Sequence, residues 1–357
     1  MAEKLNKPVV DEAAEVKRRG RRGSGSVTLR DVAKLAGVAP ITASRALNSP
    51  SAVSPQVLER VQDAVRRTGY VPNMLAGGLA SSKSRLVAAV VPTIAGPVFQ
   101  ESVHSLTEAL AEHGYQLMLG QSGYRNSRED ALLDAIIGRR PDGVVLTGIM
   151  RSADGRRRLL ASGIPVVETW DLTATPIDML VGFSHENIGI AVAEYLHERG
   201  CKRVASINGN DDRAVRRHNA FAQTALRLGM AAPGATAIPA HVVQAPTTLA
   251  SGREGLSRLL EDGKEIDAVF CSSDMLALGV LTEAQARGIE VPQQLAVCGF
   301  GDLGFARDLH PALTTVRIDG TAIGQLAARF IMDRAEGRAV EQPIRDIGFS
   351  IVRRDSA

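Results

Sequence analysis

The sequence predicts a small all-α head followed by a large α/β body of two lobes. Three observations carry that expectation. Val27 to Asn48 reads as two short helices around a tight turn. From Leu86 onward, short apolar runs alternate with amphipathic stretches of helical length, the pattern of parallel sheets wrapped in helices. The charge is also split. Residues 1–83 hold 14 Lys and Arg against 7 Asp and Glu, whereas the remainder holds 28 against 32. A basic head on a mildly acidic body suits a polyanionic partner for the head alone. A length of 357 residues with 45% hydrophobic content suffices for two or three units with buried cores.

Residues 1–26 read as a disordered basic arm containing Lys17-Arg18-Arg19-Gly20-Arg21-Arg22. It either tracks phosphates or the minor groove, or is a solvated tail adding non-specific affinity. Residues 27–71 read as one helical unit. Val32, Ala33, Leu35 and Ala36 give its first helix an apolar face, and Gly37 supplies the turn, where φ is positive. Val38 plugs the angle between the helices. Pro40 fits a first helical position, since its missing N–H would have no partner there. The second helix, Pro40 to Leu47, turns Ala43, Ala46 and Leu47 inward. That leaves Pro40, Ile41, Thr42, Ser44 and Arg45 facing out. This is helix-turn-helix spacing, with the second helix placed to enter a DNA major groove. Arg45 can contact guanine bidentately or hold a phosphate; Thr42 and Ser44 can do either less strongly. Ser54-Pro55 then opens a third helix with a capping hydroxyl and a first-turn proline. Val57, Leu58, Val61, Ala64 and Val65 follow at helical spacing and close a three-helix core before Thr68-Gly69.

The head resembles the amino-terminal domain of the LacI/GalR family of bacterial transcription regulators, a lambda-repressor-like helix-turn-helix. The resemblance rests on the opening Val-Thr-Leu-x-Asp-Val-Ala, the Ala-Gly-Val turn, Ser44-Arg45, Asn48 and Val53-Ser54. It continues through Gly69-Tyr70-x-Pro72-Asn73 and Leu79-Ala80. It implies DNA contacts from Thr28, Leu29, Pro40, Ile41, Thr42, Ser44, Arg45, Asn48, Ser54, Tyr70, Asn73 and Leu79. The segment 72–83 carries two glycines, each costing roughly 1 kcal/mol in a helix, and so short a helix is marginal in water. It is similar to the family's hinge helix, which orders on DNA, with Leu79 as the wedge that unstacks a minor-groove step. Two such heads on a homodimer would match a pseudo-palindromic double-stranded operator.

The body, 84–350, shows strand candidates at Leu86–Val91, Gln116–Gly120, Val144–Leu146, Pro165–Glu168 and Met179–Val181. Others are Arg203–Ile207, Ala268–Cys271 and Ala296–Cys298. Helix candidates are Glu101–His113, Glu129–Arg139, Ile188–Arg199, Ala214–Leu228, Gly252–Asp262 and Asp274–Arg287. So many units exceed one sheet, and the chain resembles the type I periplasmic-binding-protein fold, with a ligand cleft between lobes. That resemblance assigns about 84–183 and 318–346 to the N-lobe, about 184–317 to the C-lobe, and 351–357 to a tail.

Ligands of open α/β sheets sit beyond the carboxyl ends of strands. Those ends supply Thr93, Phe99, Thr147, Glu168, Phe183, Ser273, Gly301 and Asp302 as effector-site candidates. Arg217 joins them because it aligns with the arginine by which the family grips effectors. Sugar-binding relatives carry an aspartate where this chain has Gly301, in Gly299-Phe300-Gly301-Asp302. Losing a buried carboxylate while keeping Arg217 favours an anionic effector, because like charges in a desolvated site are costly. That run and Cys271-Ser-Ser-Asp-Met-Leu-Ala-Leu-Gly279 resemble the family's gluconate-utilisation repressors, which implies gluconate or a related sugar acid as effector.

Other classes fare worse. Gly299, Gly301 and Gly304 form G-x-G-x-x-G, but Pro311 comes too soon for the helix that a dinucleotide site needs. The seven histidines show no metal spacing, and no phosphate loop or Gly-x-Ser-x-Gly elbow appears. No catalytic residue, metal or cofactor is therefore expected. His185-Glu186 lacks a second histidine and reads as a helix start. Cys271 and Cys298 lie in apolar runs and read as buried free thiols. No apolar run reaches membrane-spanning length and no secretory segment opens the chain, so a cytoplasmic protein is expected. A solute-binding protein would need export; an enzyme on the same scaffold would leave 27–81 unexplained.

Overall fold

The computed structural model describes residues 27–71, 83–94, 96–123, 126–261, 263 and 265–357. The chain separates into two compact units, Met1–Ser81 and Ser82–Ala357. The arm at 1–26 and the hinge segment up to residue 82, with Asn73 and Leu79, lie outside the described residues.

In the head, α1 (Leu29–Ala36) starts at Thr28, whose backbone N–H and hydroxyl both donate to Asp31 Oδ2, at 2.8 and 2.6 Å. Those bonds favour the charged form and hold Asp31 below the usual carboxylate range. Gly37 ends α1 at φ 65°, and the Val38 N–H returns to the Ala33 carbonyl at 3.0 Å. Helix α2 (Pro40–Asn48) has its proline in the first turn, and α3 (Pro55–Thr68) is capped by Ser54, which accepts from Val57 N at 3.4 Å. The core holds Val32, Ala33, Ala36, Ala43, Ala46, Val61 and Ala64. These small side chains let three short helices pack closely. Leu35 departs from expectation: it is 42% exposed. At 100° per residue it lies well round the helix from the stripe made by Val32, Ala33 and Ala36.

The body contains two six-stranded sheets. The first is ordered β11-β5-β4-β3-β1-β2. Its strands are β1 (Leu86–Val91), β2 (Gln116–Gln121), β3 (Gly143–Thr147), β4 (Val166–Thr169), β5 (Met179–Gly182) and β11 (Ile344–Asp346). The second is ordered β12-β10-β9-β8-β6-β7. It is built from β6 (Val204–Gly209), β7 (Ala240–Val243), β8 (Ala268–Cys271), β9 (Ala296–Phe300), β10 (Thr314–Arg317) and β12 (Ser350–Val352). All pairings are parallel except β10 with β12. The central strands are buried along nearly their whole length, only Leu86 and Thr147 at strand ends being half-buried, as sheets covered on both faces require. The first lobe carries α4 (Gln100–Ala111), α5 (Asn126–Ile137) and α6 (Ala153–Ser162). The second carries α7 (His185–Glu198), α8 (Asp212–Arg227), α9 (Leu249–Glu261) and α10 (Asp274–Ala286). Helix α11 (Gly320–Ala335) returns to pack on α4 and on β3, β4 and β5. The chain thus crosses between lobes after β5, after β10 and after β11.

The carboxy-terminal residues 351–357 are a correction, for they are no loose tail. Ile351 and Val352 pair with Val316 and Thr315 in the second sheet. Ser356 is fully buried, accepting from Thr314 N at 2.8 Å and donating to Val297 O at 2.7 Å. Tyr195 donates its hydroxyl to Ala357 O at 2.7 Å.

Candidate functional site

Two surfaces gather the residues singled out from the sequence. On the head, α2 presents Pro40, Ile41, Arg45 and Asn48 as exposed residues, with Thr42 and Ser44 half-buried between them. Asn48 Nδ2 donates to Ser44 Oγ at 3.2 Å, one turn back, so two of these polar groups order each other. Ile41, 64% exposed, gives the face an apolar point suited to a thymine methyl. Four others do structural work as well. Thr28 and Ser54 cap helices, while Leu29 and Tyr70 pack partly buried against the head core.

In the body, the carboxyl ends of the parallel strands in both sheets meet a cleft. Its inner chamber is lined by Val98, Phe99 and Trp170 from the first lobe. His185, Asp211, Arg213, Arg217, Ala245, Thr247, Ser272, Ser273 and Phe300 complete the lining. Its water-accessible space is about 70 Å³, room for roughly five waters. A wider vestibule of about 450 Å³ adjoins it, lined by Thr147, Arg128, Glu129, Arg151, Asp171, Asn210 and Asp212, among others. Asp211, Arg213 and Ala245 line both spaces.

The chamber has an aromatic wall. Phe99 meets Trp170 edge-on at 5.1 Å, and Trp170 meets Phe183 at 5.7 Å. Trp170 Nε1 donates to Ser102 Oγ at 3.0 Å, which fixes the indole. Opposite lies Arg217, only 5% exposed. Its Cζ stands 4.0 Å from the Phe300 ring centroid. Nη2 donates to the Ser272 carbonyl at 3.1 Å, and Nη1 to His185 Nδ1 at 2.9 Å. Its Nε is buried with no partner among the described residues. No carboxylate lies within ion-pair distance of it there, and burial pulls its pKa down to about 10, still charged at neutral pH. His185 is fixed as one tautomer. Its Nε2 faces the Trp170 carbonyl at 3.0 Å and must donate, so Nδ1 must accept from Arg217. Burial first, then the neighbouring arginines, hold its pKa well below the ordinary value.

Two ion pairs span the lobes beside this chamber. Arg216 of α8 pairs with Asp171, just after β4, and also reaches Glu186 at 3.3 Å. Arg151 of the first lobe meets Asp212 of α8 at 2.9 Å at the vestibule.

Phe99, Arg217 and Ser273 come together in the chamber, and Thr147 lines the vestibule. Ser273 also caps α10, accepting from Leu276 N at 3.3 Å, and shares a 2.8 Å hydrogen bond with Thr247. Five sequence candidates line neither space. Thr93 is buried beside the cleft. Glu168 is fully buried, and its two oxygens accept from Met150 N at 2.7 Å and Ile177 N at 2.8 Å. Phe183 stands behind Trp170 and His185. Asp302 is bound by Arg354 at 2.6 Å and Arg317 at 3.2 Å. Gly301 sits at φ 131°, a left-handed conformation that favours glycine. The residues missed include Asp211, Arg213, Thr247 and His185, the last read only as a helix start. The first two open α8, and reading β6 as ending at Ile207, two residues before its Gly209 end, hid their place at a strand's carboxyl end.

Comparison with known proteins gives the family of both parts of the chain. Residues 28–73 match the bacterial regulatory proteins of the lacI family, and 193–357 match the periplasmic binding protein-like domain. The chain is 37% identical over 336 residues to the HTH-type transcriptional regulator GntR of Pseudomonas aeruginosa, covering 94% of this chain and 97% of that one. It superposes on a LacI-family transcriptional regulator from Silicibacter pomeroyi with a TM-score of 0.86 and 31% identity, covering 92% and 99%. The lac repressor dimer bound to operator and the anti-inducer ONPF shares the fold, with a TM-score of 0.78 at 23% identity over 93% and 99% of the two chains. This chain belongs to the LacI family and is a DNA-binding transcriptional regulator with an effector-binding core.

Proposed function

We propose that the protein is a cytoplasmic, non-catalytic repressor of sugar-acid utilisation genes. It acts as a homodimer on a pseudo-palindromic operator and is controlled by gluconate or a close relative. The α2 face, with Arg45 central, reads each half-site, aided by Thr28, Leu29, Ser54, Tyr70, Asn73 and Leu79. The effector binds between an N-lobe of about 84–183 and 318–346 and a C-lobe of about 184–317, its carboxylate on Arg217. The observation that carries this reading is the buried Arg217 cation, which among the described residues has no carboxylate within ion-pair distance and an orphaned Nε. An unpaired buried charge is costly, and an anionic ligand removes that cost. The aromatic wall suits the C–H faces of a sugar chain.

Control follows from linkage. The chamber draws its lining from both lobes, so an effector binds one arrangement of the lobes more tightly and shifts the population towards it. A coupling of about 1–3 kcal/mol to the head makes a usable switch. The test selects bound duplexes from a random pool with the full-length protein, then titrates gluconate into the complex. Release of a palindromic sequence by gluconate, and not by a neutral sugar, is expected; release by a neutral sugar with none by gluconate would exclude the reading.

A further inference from the structure

The two compact units, Met1–Ser81 and Ser82–Ala357, are joined by a single passage of backbone. Whatever the body transmits to the head along the chain goes through Ser82-Lys83-Ser84-Arg85. The body holds the end of this passage on one carboxylate. Asp142, the residue before β3, accepts at Oδ1 from the Ser84 N–H at 2.8 Å and from the Ser84 hydroxyl at 2.9 Å. Its Oδ2 accepts from the Arg85 N–H at 2.9 Å, and its own N–H donates to the Leu86 carbonyl at 2.7 Å. Arg85 has φ 54°, a left-handed conformation uncommon for a residue with a side chain. Its Nη1 donates to the His113 carbonyl at 3.1 Å, and its Cζ lies 5.0 Å from the Tyr115 ring centroid. Backbone strain of this kind persists only where the surroundings over-determine it.

The second lobe supplies a comparison within the same body. Asp267, the residue before β8, accepts from the Lys202 and Arg203 N–H groups at 2.8 and 2.9 Å, just before β6, and its own N–H donates to the Arg203 carbonyl at 2.9 Å. A carboxylate clasp on the first strand is thus common to both lobes. Among the described residues, only the clasp of the first lobe adds a hydroxyl and a left-handed residue. These extra restraints fall on the strand that the chain enters from the head, whereas β6 is entered from α7 of the same body.

We propose that Asp142, acting through Ser84 and Arg85, anchors the chain from the head rigidly to the first lobe and so is a positioning residue for operator binding. The root of the connection is then ordered before DNA arrives, and binding does not carry the entropy of ordering it. A firm root also passes a displacement of the first lobe towards the head undamped.

Fluorescence anisotropy of the full-length protein on its selected operator tests the anchor. Asp142→Ala is expected to weaken operator binding about tenfold or more, with affinity for a non-specific duplex unchanged. Asp142→Asn, which keeps one acceptor oxygen, should fall between and serves if the alanine variant does not fold. Asp267→Ala removes the matching clasp of the second lobe and should leave both affinities of the folded protein unaltered. On a duplex with two base pairs inserted between the half-sites, the unaltered protein should lose affinity steeply and Asp142→Ala much less, since a loose root accommodates a changed spacing. Unchanged operator affinity in both Asp142 variants, or an equal loss in Asp267→Ala, overturns the anchor. Indifference of the unaltered protein to the inserted base pairs instead overturns the two-headed reading given above, and the affinity comparison still decides the anchor.

Discussion

Arg45 and Arg217 are the same side chain in opposite surroundings, and each defines its region. Arg45 is exposed on α2, whereas Arg217 is desolvated against Phe300 and His185. A phosphate or guanine meeting Arg45 replaces water. An anion meeting Arg217 displaces only the few waters the chamber can hold and meets a charge that burial has already stripped of most of its hydration. The first surface therefore gains affinity from many weak, screened contacts, and the second from few, unscreened ones. A regulator needs both kinds, since operators are abundant in non-specific competitors while effectors must be told apart by one or two groups.

Salt should break the two surfaces apart most widely. Operator affinity, measured by fluorescence anisotropy, is expected to fall by about two to four decades between 50 and 200 mM salt, while gluconate affinity changes severalfold at most, because buried charges are screened little. A next effect concerns Asp302. Asp302→Ala leaves Arg354 without its carboxylate, while Arg317 keeps Glu101 at 3.6 Å, and should destabilise the body by about 2–3 kcal/mol in urea unfolding. Effector affinity per folded molecule should not move; a tenfold loss would return Asp302 to the cleft. Arg45→Ala is expected to cost about 1–3 kcal/mol of operator discrimination with the calorimetric effector constant unaltered. The smallest effect is in pH. His185 has a folded pKa depressed below its unfolded value of about 6.5. The unfolded chain therefore binds the proton first, and the stability this residue contributes above pH 6.5 is lost as pH falls below it. His185→Gln, whose amide can still donate to Trp170 and accept from Arg217, should flatten that part of the stability profile.

The legibility of the sequence differs between the same two regions. The head is local: Gly37, Pro40, Ser54 and Gly69 mark their helix ends within one turn of chain, so spacing alone was enough there, whereas the cap at Thr28 was not read from it. In the body, Leu86–Val91 and Ala268–Cys271 coincide with their strands because unbroken apolar runs end where burial ends. The three-residue strands β11 and β12 have no room for a period and were not anticipated. The cleft was legible only in part, since a strand's end says where a residue lies but not which face it takes. Alternation turns Glu168 into the cluster around Met150 and Ile177, away from Thr169. Asp302 was misplaced because its partner Arg354 is 52 residues further on, a distance at which no local pattern operates.

The central claim is that a buried cation with no carboxylate in ion-pair contact among the described residues sets the ligand's chemistry. Titration calorimetry of gluconate and of its uncharged counterpart sorbitol, with the unaltered protein and with Arg217→Gln, tests it most directly. Tight binding of gluconate alone, lost by about 100-fold or more in the variant, is the predicted result. Binding of sorbitol as tight as that of gluconate, or gluconate binding that survives in Arg217→Gln, would contradict it.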